Sequence, residues 1–173
     1  MKSMSVMTEH ASGDLHVDVQ VALSDIDEDA EPPSAAQLTQ WAQCAYSAVR
    51  DTPAEVTIRL CETEESHTLN HSYRGFDKPT NVLSFPFEGL DDLPPELSAE
   101  LATPILGDIV ICHPVLIAEA KNQQKSLSDH YAHMVTHGIL HLCGYDHQDD
   151  PSAEEMEALE TRILAQSHIA NPY

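Results

Sequence analysis

Apolar and polar residues alternate with period two in two stretches of the chain and recur near period 3.6 in several others. Leu15-His16-Val17-Asp18-Val19-Gln20-Val21 puts every second residue on one face, which predicts a half-buried strand. Glu55-Val56-Thr57-Ile58-Arg59-Leu60 repeats the pattern. Gly107 to Cys112 is apolar enough for a central strand, and residues 79–87 hold a short fourth one that Pro86 ends or confines to a sheet edge. Helical spacing joins Leu38, Trp41, Ala42, Ala45 and Val49 behind a capping Ser34. Glu62 to Tyr73 reads as a short helix ending before Gly75, and His113-Pro114 opens another that runs to about Lys125. Residues 130–142 form a helix capped by Ser128 or Asp129. After a break at Asp150-Pro151-Ser152, a last helix covers about 153–167, with Met156, Leu159, Ile163 and Leu164 on one side. Residues 88–104 are acidic, carry prolines and read as an excursion. Residues 1–14 read as a polar, disordered leader to a single domain over 15–173. Interleaved strands and helices predict a small mixed sheet of about four strands packed with helices, of the α+β or mixed α/β class. Strand order and direction have no signature in these runs.

The 130–142 helix and the short segment after it carry the strongest chemical signal. His137, His141 and His147 stand at i, i+4 and i+10, with Gly144 between the second and third. Four residues turn a helix by about 400°, so His137 and His141 share a face one turn apart. Six more residues would add about 600° and aim His147 elsewhere if the helix ran on. Gly144 accepts the left-handed conformation that ends a helix, so the chain can turn back and deliver His147 to the same point. Three neutral imidazoles leave a fourth position open on a tetrahedral ion, the pattern of a catalytic site, and zinc is the first choice for one such ion. Metzincin peptidases share this spacing but need a glutamate directly after the first histidine as general base. Here that position is Gly138, which argues against a peptidase.

Composition narrows the class. The 173 residues are 42% hydrophobic with a mean hydropathy of -0.29, as in a globular protein. No apolar run approaches the roughly 18 residues that span a membrane, and Met1 to Asp14 lacks the apolar core of a secretory signal. Cys44, Cys61, Cys112 and Cys143 are widely spaced and read as free thiols in a reducing cytoplasm. Cys143, beside the histidines, is either a competing ligand or a small buried thiol. A net charge of -21 disfavours a general nucleic-acid binder. Between His67 and Phe87, however, the only charges are Arg74, Asp77 and Lys78, a locally basic stretch.

Arg74, at a helix end, is either a partner of the helix dipole or a clamp that grips phosphate bidentately. Lys78 adds a phosphate contact or pairs with an exposed acid. Asp146 has three readings: orienting an imidazole, taking a proton during catalysis, or capping a turn. His133, one turn before His137, is a fallback ligand or a surface histidine.

Three motifs resemble one family. His137-Gly138-x-Leu140-His141-Leu142-x-Gly144-Tyr145-Asp146-His147 is similar to the signature of the bacterial YbeY family, metal-dependent endoribonucleases also called rRNA maturation factors. Leu69-Asn70-x-x-Tyr73-Arg74 with Asp77 to Pro86, and Gly107-Asp108-Ile109, resemble two further signatures in the family's order. The resemblance implies an α+β fold, zinc on His137, His141 and His147, and Arg74 as the functional arginine of the cleft. It implies a cytoplasmic enzyme that cuts single-stranded RNA in maturation of the small-subunit rRNA 3′ end and in ribosome quality control. Its partners would be rRNA precursors, the small subunit and assembly proteins. Two alternatives stand beside this: an assembly factor whose metal is structural, and a metallohydrolase of another bond.

Overall fold

The computed structural model describes residues 14–88, 93–100 and 103–173. The leader expected over residues 1–14 lies, Asp14 excepted, outside the described residues. Among the described residues, four strands form one sheet: β1 (Leu15–Val21), β2 (Ala54–Cys61), β3 (Val82–Pro86) and β4 (Ile105–Cys112), in the order β1-β2-β4-β3. The first three neighbours in that order run parallel and β3 runs antiparallel to β4. The expected mixed sheet of four strands is present, and β4 is interior as its apolar run predicts. With its helices it makes an α+β fold.

Among the described residues, six α-helices accompany the sheet: α1 (Ala35–Ser47), α2 (Thr63–Arg74), α3 (Pro95–Glu100), α4 (His113–Asn122), α5 (Leu127–Leu142) and α6 (Asp150–Gln166). α1 and α5 pack together and against strands, and α6 packs on α5. The main core lies here: Leu38, Trp41 and Ala45 of α1 and Ile139 and Leu140 of α5 meet Val56, Ile58, Ile109 and Ile111 of the sheet. α2 and α4 contact β4 over a smaller cluster built on Cys61, Leu83, Val110 and Cys112.

Caps explain several helix boundaries. Ser34 Oγ accepts the Gln37 backbone N–H at 3.2 Å, and α2 stops at Gly75, which has φ 76°. Two starts differ from expectation. α5 begins at Leu127 because Ser126, rather than Ser128 or Asp129, is the cap; its Oγ accepts the Asp129 N–H at 3.0 Å. α6 begins at Asp150, inside the supposed break. Asp149 and Ser152 form a reciprocal capping box there, and Pro151 sits in the first turn, where a missing N–H costs nothing. The 88–104 excursion contains α3 among its described residues.

A candidate metal centre

α5 is buried on almost every side, because the sheet, α1, α4 and α6 surround it. Its approach to the sheet depends on Gly138. A Cβ at that position would lie 3.0 Å from Ile109 Cδ1 and 3.1 Å from Ile109 Cγ2. The close contact holds α5 against β4 and fixes the height of the two histidines flanking Gly138 along the helix. His137 and His141 project together, with ring centroids 4.5 Å apart.

The end of α5 brings in the third ring. Gly144 takes φ 96°, its N–H donates to His141 O, and the Tyr145 N–H reaches back to Leu140 O, both at 3.0 Å. Arg50 Nη2 donates to Cys143 O at 2.8 Å, placing a cation on the negative end of the helix. The chain reverses, and the His147 ring lies 5.6 Å from His137 and 5.1 Å from His141. One nitrogen from each of the three rings lies within 4.8 Å of the others, so the trio can hold one ion. His137 and His141 are half-buried and His147 is exposed, which leaves one side open. Asp146 Oδ1 accepts the His147 backbone N–H at 2.7 Å and lies 3.7 Å from His147 Nδ1.

The chemistry of the donors suits a cation. His137 Nδ1 meets Glu160 Oε1 at 2.6 Å, so Nδ1–H donates to the carboxylate and Nε2 keeps a free lone pair. Burial alone would raise the pKa of Glu160. Donors from His133, His137 and Tyr173 reverse that and bring it down to about 2, so it stays a carboxylate. Burial, helped by the neighbouring His137 and His147, pushes His141 down to about 4, which keeps its imidazole neutral. A second group, His133, His137 and Glu160, also lies close enough to chelate. Both Glu160 oxygens already accept hydrogen bonds there, from His137 and Tyr173. The His137, His141 and His147 trio is therefore the open one.

Arg74 lines the same cavity, of about 350 Å³, together with Ser84, Asn81 and the three histidines. The second motif builds the wall that carries these residues. Asn70, buried on α2, donates from Nδ2 to Lys78 O at 2.7 Å. Ser66 Oγ donates to Thr80 O at 2.9 Å and accepts Thr80 N–H at 3.0 Å. These bonds pin the loop between Gly75 and Asn81 beside the cleft. Lys78 is exposed and enters this network through its carbonyl.

Cys143 is a buried thiol in the main core, and burial raises its pKa; it belongs to neither chelating group among the described residues. His133 departs from the surface reading. It is buried, with its ring 6.3 Å from His137. Sequence reasoning missed Glu160 and Tyr173 altogether. Glu160 sits four residues after Met156 and four before Leu164 on the apolar face of α6. An acid on such a stripe signals a buried carboxylate with a partner.

Fold and cleft together define a class: a small α+β domain whose helix end presents three convergent imidazoles beside an arginine. The chain belongs to the endoribonuclease YbeY family, whose model, described as Endoribonuclease YbeY, matches residues 18–168. It is 54% identical over 141 residues to Endoribonuclease YbeY of Alteromonas mediterranea, covering 82% of this chain and 84% of that one. The solution structure of TM1509 from Thermotoga maritima is similar, with a TM-score of 0.52 at 21% identity over 88% of this chain and 91% of that one. At that identity the likeness speaks to the fold alone.

Proposed function

We propose that this member of an endoribonuclease family cuts phosphodiester bonds in single-stranded RNA at the three-histidine cleft. The observation that carries the reading is the convergence of His137, His141 and His147 in one cavity with Arg74. The three imidazoles would hold one zinc ion, which supplies Lewis acidity toward a phosphoryl oxygen when bound. Arg74 grips the phosphate and offsets the charge that grows on its oxygens. Glu160 fixes the tautomer and orientation of His137. Asp146 holds the returning loop through the His147 N–H and keeps that ring on the trio. The cleft is lined by residues of α6 and of the α2–β3 loop, and a single strand is the form of RNA that family membership favours.

Ribosomal precursors are the substrate that family membership favours, with the small-subunit rRNA 3′ end as the target and the cytoplasm as the place. No helix among the described residues is long and apolar enough to cross a membrane. The net charge of -21 supports docking on basic ribosomal proteins, while RNA itself is gripped locally at Arg74. That same acidity favours a second reading, an assembly factor whose metal only fixes the fold. Metal content of purified protein, with RNA cleavage before and after chelation and casein as a parallel substrate, tests both. Cleavage lost on chelation and regained with zinc is expected. Chelated protein that still binds pre-ribosomal particles, from a parent that cuts no RNA, supports the second reading. Arg74→Ala or His137→Ala protein cutting RNA as fast as the parent overturns the site.

A further inference from the structure

The segment after α6 doubles back to the cleft and touches the carboxylate behind the first histidine. The Ile169 N–H donates to Leu164 O at 3.0 Å, closing the helix. Asn171 Oδ1 accepts the Tyr173 N–H at 2.9 Å. Lys125 Nζ, just beyond α4, donates to Pro172 O at 2.8 Å. Tyr173 is thus anchored from two directions. Its ring stands edge-on to His133 with centroids 5.4 Å apart. Its hydroxyl donates to Glu160 Oε2, while His137 uses Oε1. His133 Nε2 lies 3.3 Å from that hydroxyl and 3.5 Å from Oε2.

Two facts separate this contact from ordinary packing. Glu160 is fully buried, whereas Tyr173 is 58% exposed. The tyrosine therefore brings its hydroxyl to a buried carboxylate although the residue as a whole is largely exposed. A buried carboxylate needs donors on both oxygens, and hydrogen bonds to a charged group are the strong ones. Without the hydroxyl, Oε2 keeps only the longer approach of His133. The carboxylate can then swing toward His133, and the His137 ring loses the partner that aims its Nε2 lone pair.

We propose that Tyr173 is a positioning residue of the metal centre: it fixes the Glu160 carboxylate, which fixes His137, so the segment after α6 sets how firmly the trio holds a divalent cation. The proposal rests on the trio being the metal site. Its test is zinc affinity of the chelator-stripped full chain, measured by competition with a chromophoric chelator. The parent, Tyr173→Phe, Glu160→Gln and the double variant are compared. Residues behind a ligand change metal affinity by about 10- to 100-fold. Tyr173→Phe should weaken zinc by about 10-fold and Glu160→Gln by about 100-fold, with the double variant no weaker than Glu160→Gln alone. The thermal midpoint of stripped Tyr173→Phe should fall modestly, because a buried carboxylate loses a donor, while the zinc affinity of the still-folded protein is the readout that packing alone would not move.

Parent affinity in Tyr173→Phe overturns the proposal. So do losses that multiply in the double variant, or a lowered midpoint with unchanged affinity. A parent that binds no zinc overturns the metal reading itself and this inference with it. A parent that binds zinc and cuts RNA, beside a Tyr173→Phe protein of equal affinity, sinks the positioning role alone.

Discussion

The two halves of α5 carry the same residue type to opposite ends. In the first half, His130 is buried and its Nε2 contacts Glu119 Oε2 at 2.7 Å, a carboxylate that Asn81 also reaches at 3.3 Å. In the second half, His137 and His141 project into a cleft and meet a ring delivered from beyond the helix. Both halves pair a histidine with a glutamate. What differs is whether a lone pair is left facing open space and whether other rings converge on it. A histidine count along the helix is therefore a poor guide, and convergence is the useful one.

The sharpest way to break this comparison is to remove one histidine from each half. His137→Ala or His141→Ala should abolish stoichiometric zinc binding and cut RNA cleavage by more than about 100-fold, beyond the effect of residues behind a ligand. His130→Ala should leave cleavage within a few fold and cost roughly 1–3 kcal/mol of stability, through the donor it takes from Glu119. Zinc titration, cleavage rates and denaturant melts check both. Equal losses of metal from the two variants would erase the distinction.

Arg74→Ala sharpens the second half further. It should lower kcat by about 100-fold, as for loss of one charge-stabilising donor, with zinc affinity at the parent value. A smaller effect is expected with acid. His141 in the metal-free protein sits at about 4, below its usual 6.5, so protonation favours the unfolded chain. Its destabilising effect is absent above pH 6.5 and grows as pH falls from 6.5 through 4. Glu160, lowered from 4.5 to about 2, adds a loss that begins only below pH 4.5. Thermal midpoints of chelated protein should decline in that order, and His141→Asn should flatten the upper part. The smallest effect is at the turn. Gly144→Ala at φ 96° should cost about 1 kcal/mol and weaken zinc modestly, because it strains the reversal that returns His147.

Much of this was legible in the sequence, for local reasons. Ser34 acts through its side chain on a backbone N–H three residues away, and Gly75 and Gly144 through their own backbone, so residue types alone betray them. The same holds for a trio of histidines spaced by one turn and one reversal. The start of α6 was hidden because Asp150-Pro151-Ser152 suits a loop as well as a capped first turn. The start of α5 was hidden by three competing caps, Ser126, Ser128 and Asp129, within four residues. Strand order was not legible, since parallel neighbours joined through helices leave no local mark. Glu160 was missed because it follows three other acids, Glu154, Glu155 and Glu157, which mask its place in the apolar stripe, and Tyr173 because it reaches its partner only once a distant segment folds back.

Gly138 has a consequence for what this scaffold can become. In peptidases of the same spacing the residue after the first histidine is an acid that works on the reaction. Here that residue looks at Ile109, in the seam between helix and sheet. A carboxylate put there by one substitution would be driven into hydrocarbon rather than offered to a peptide bond, and the seam would have to part to admit it. Packing at this seam therefore works against the peptidase arrangement, since even a Cβ there presses on Ile109.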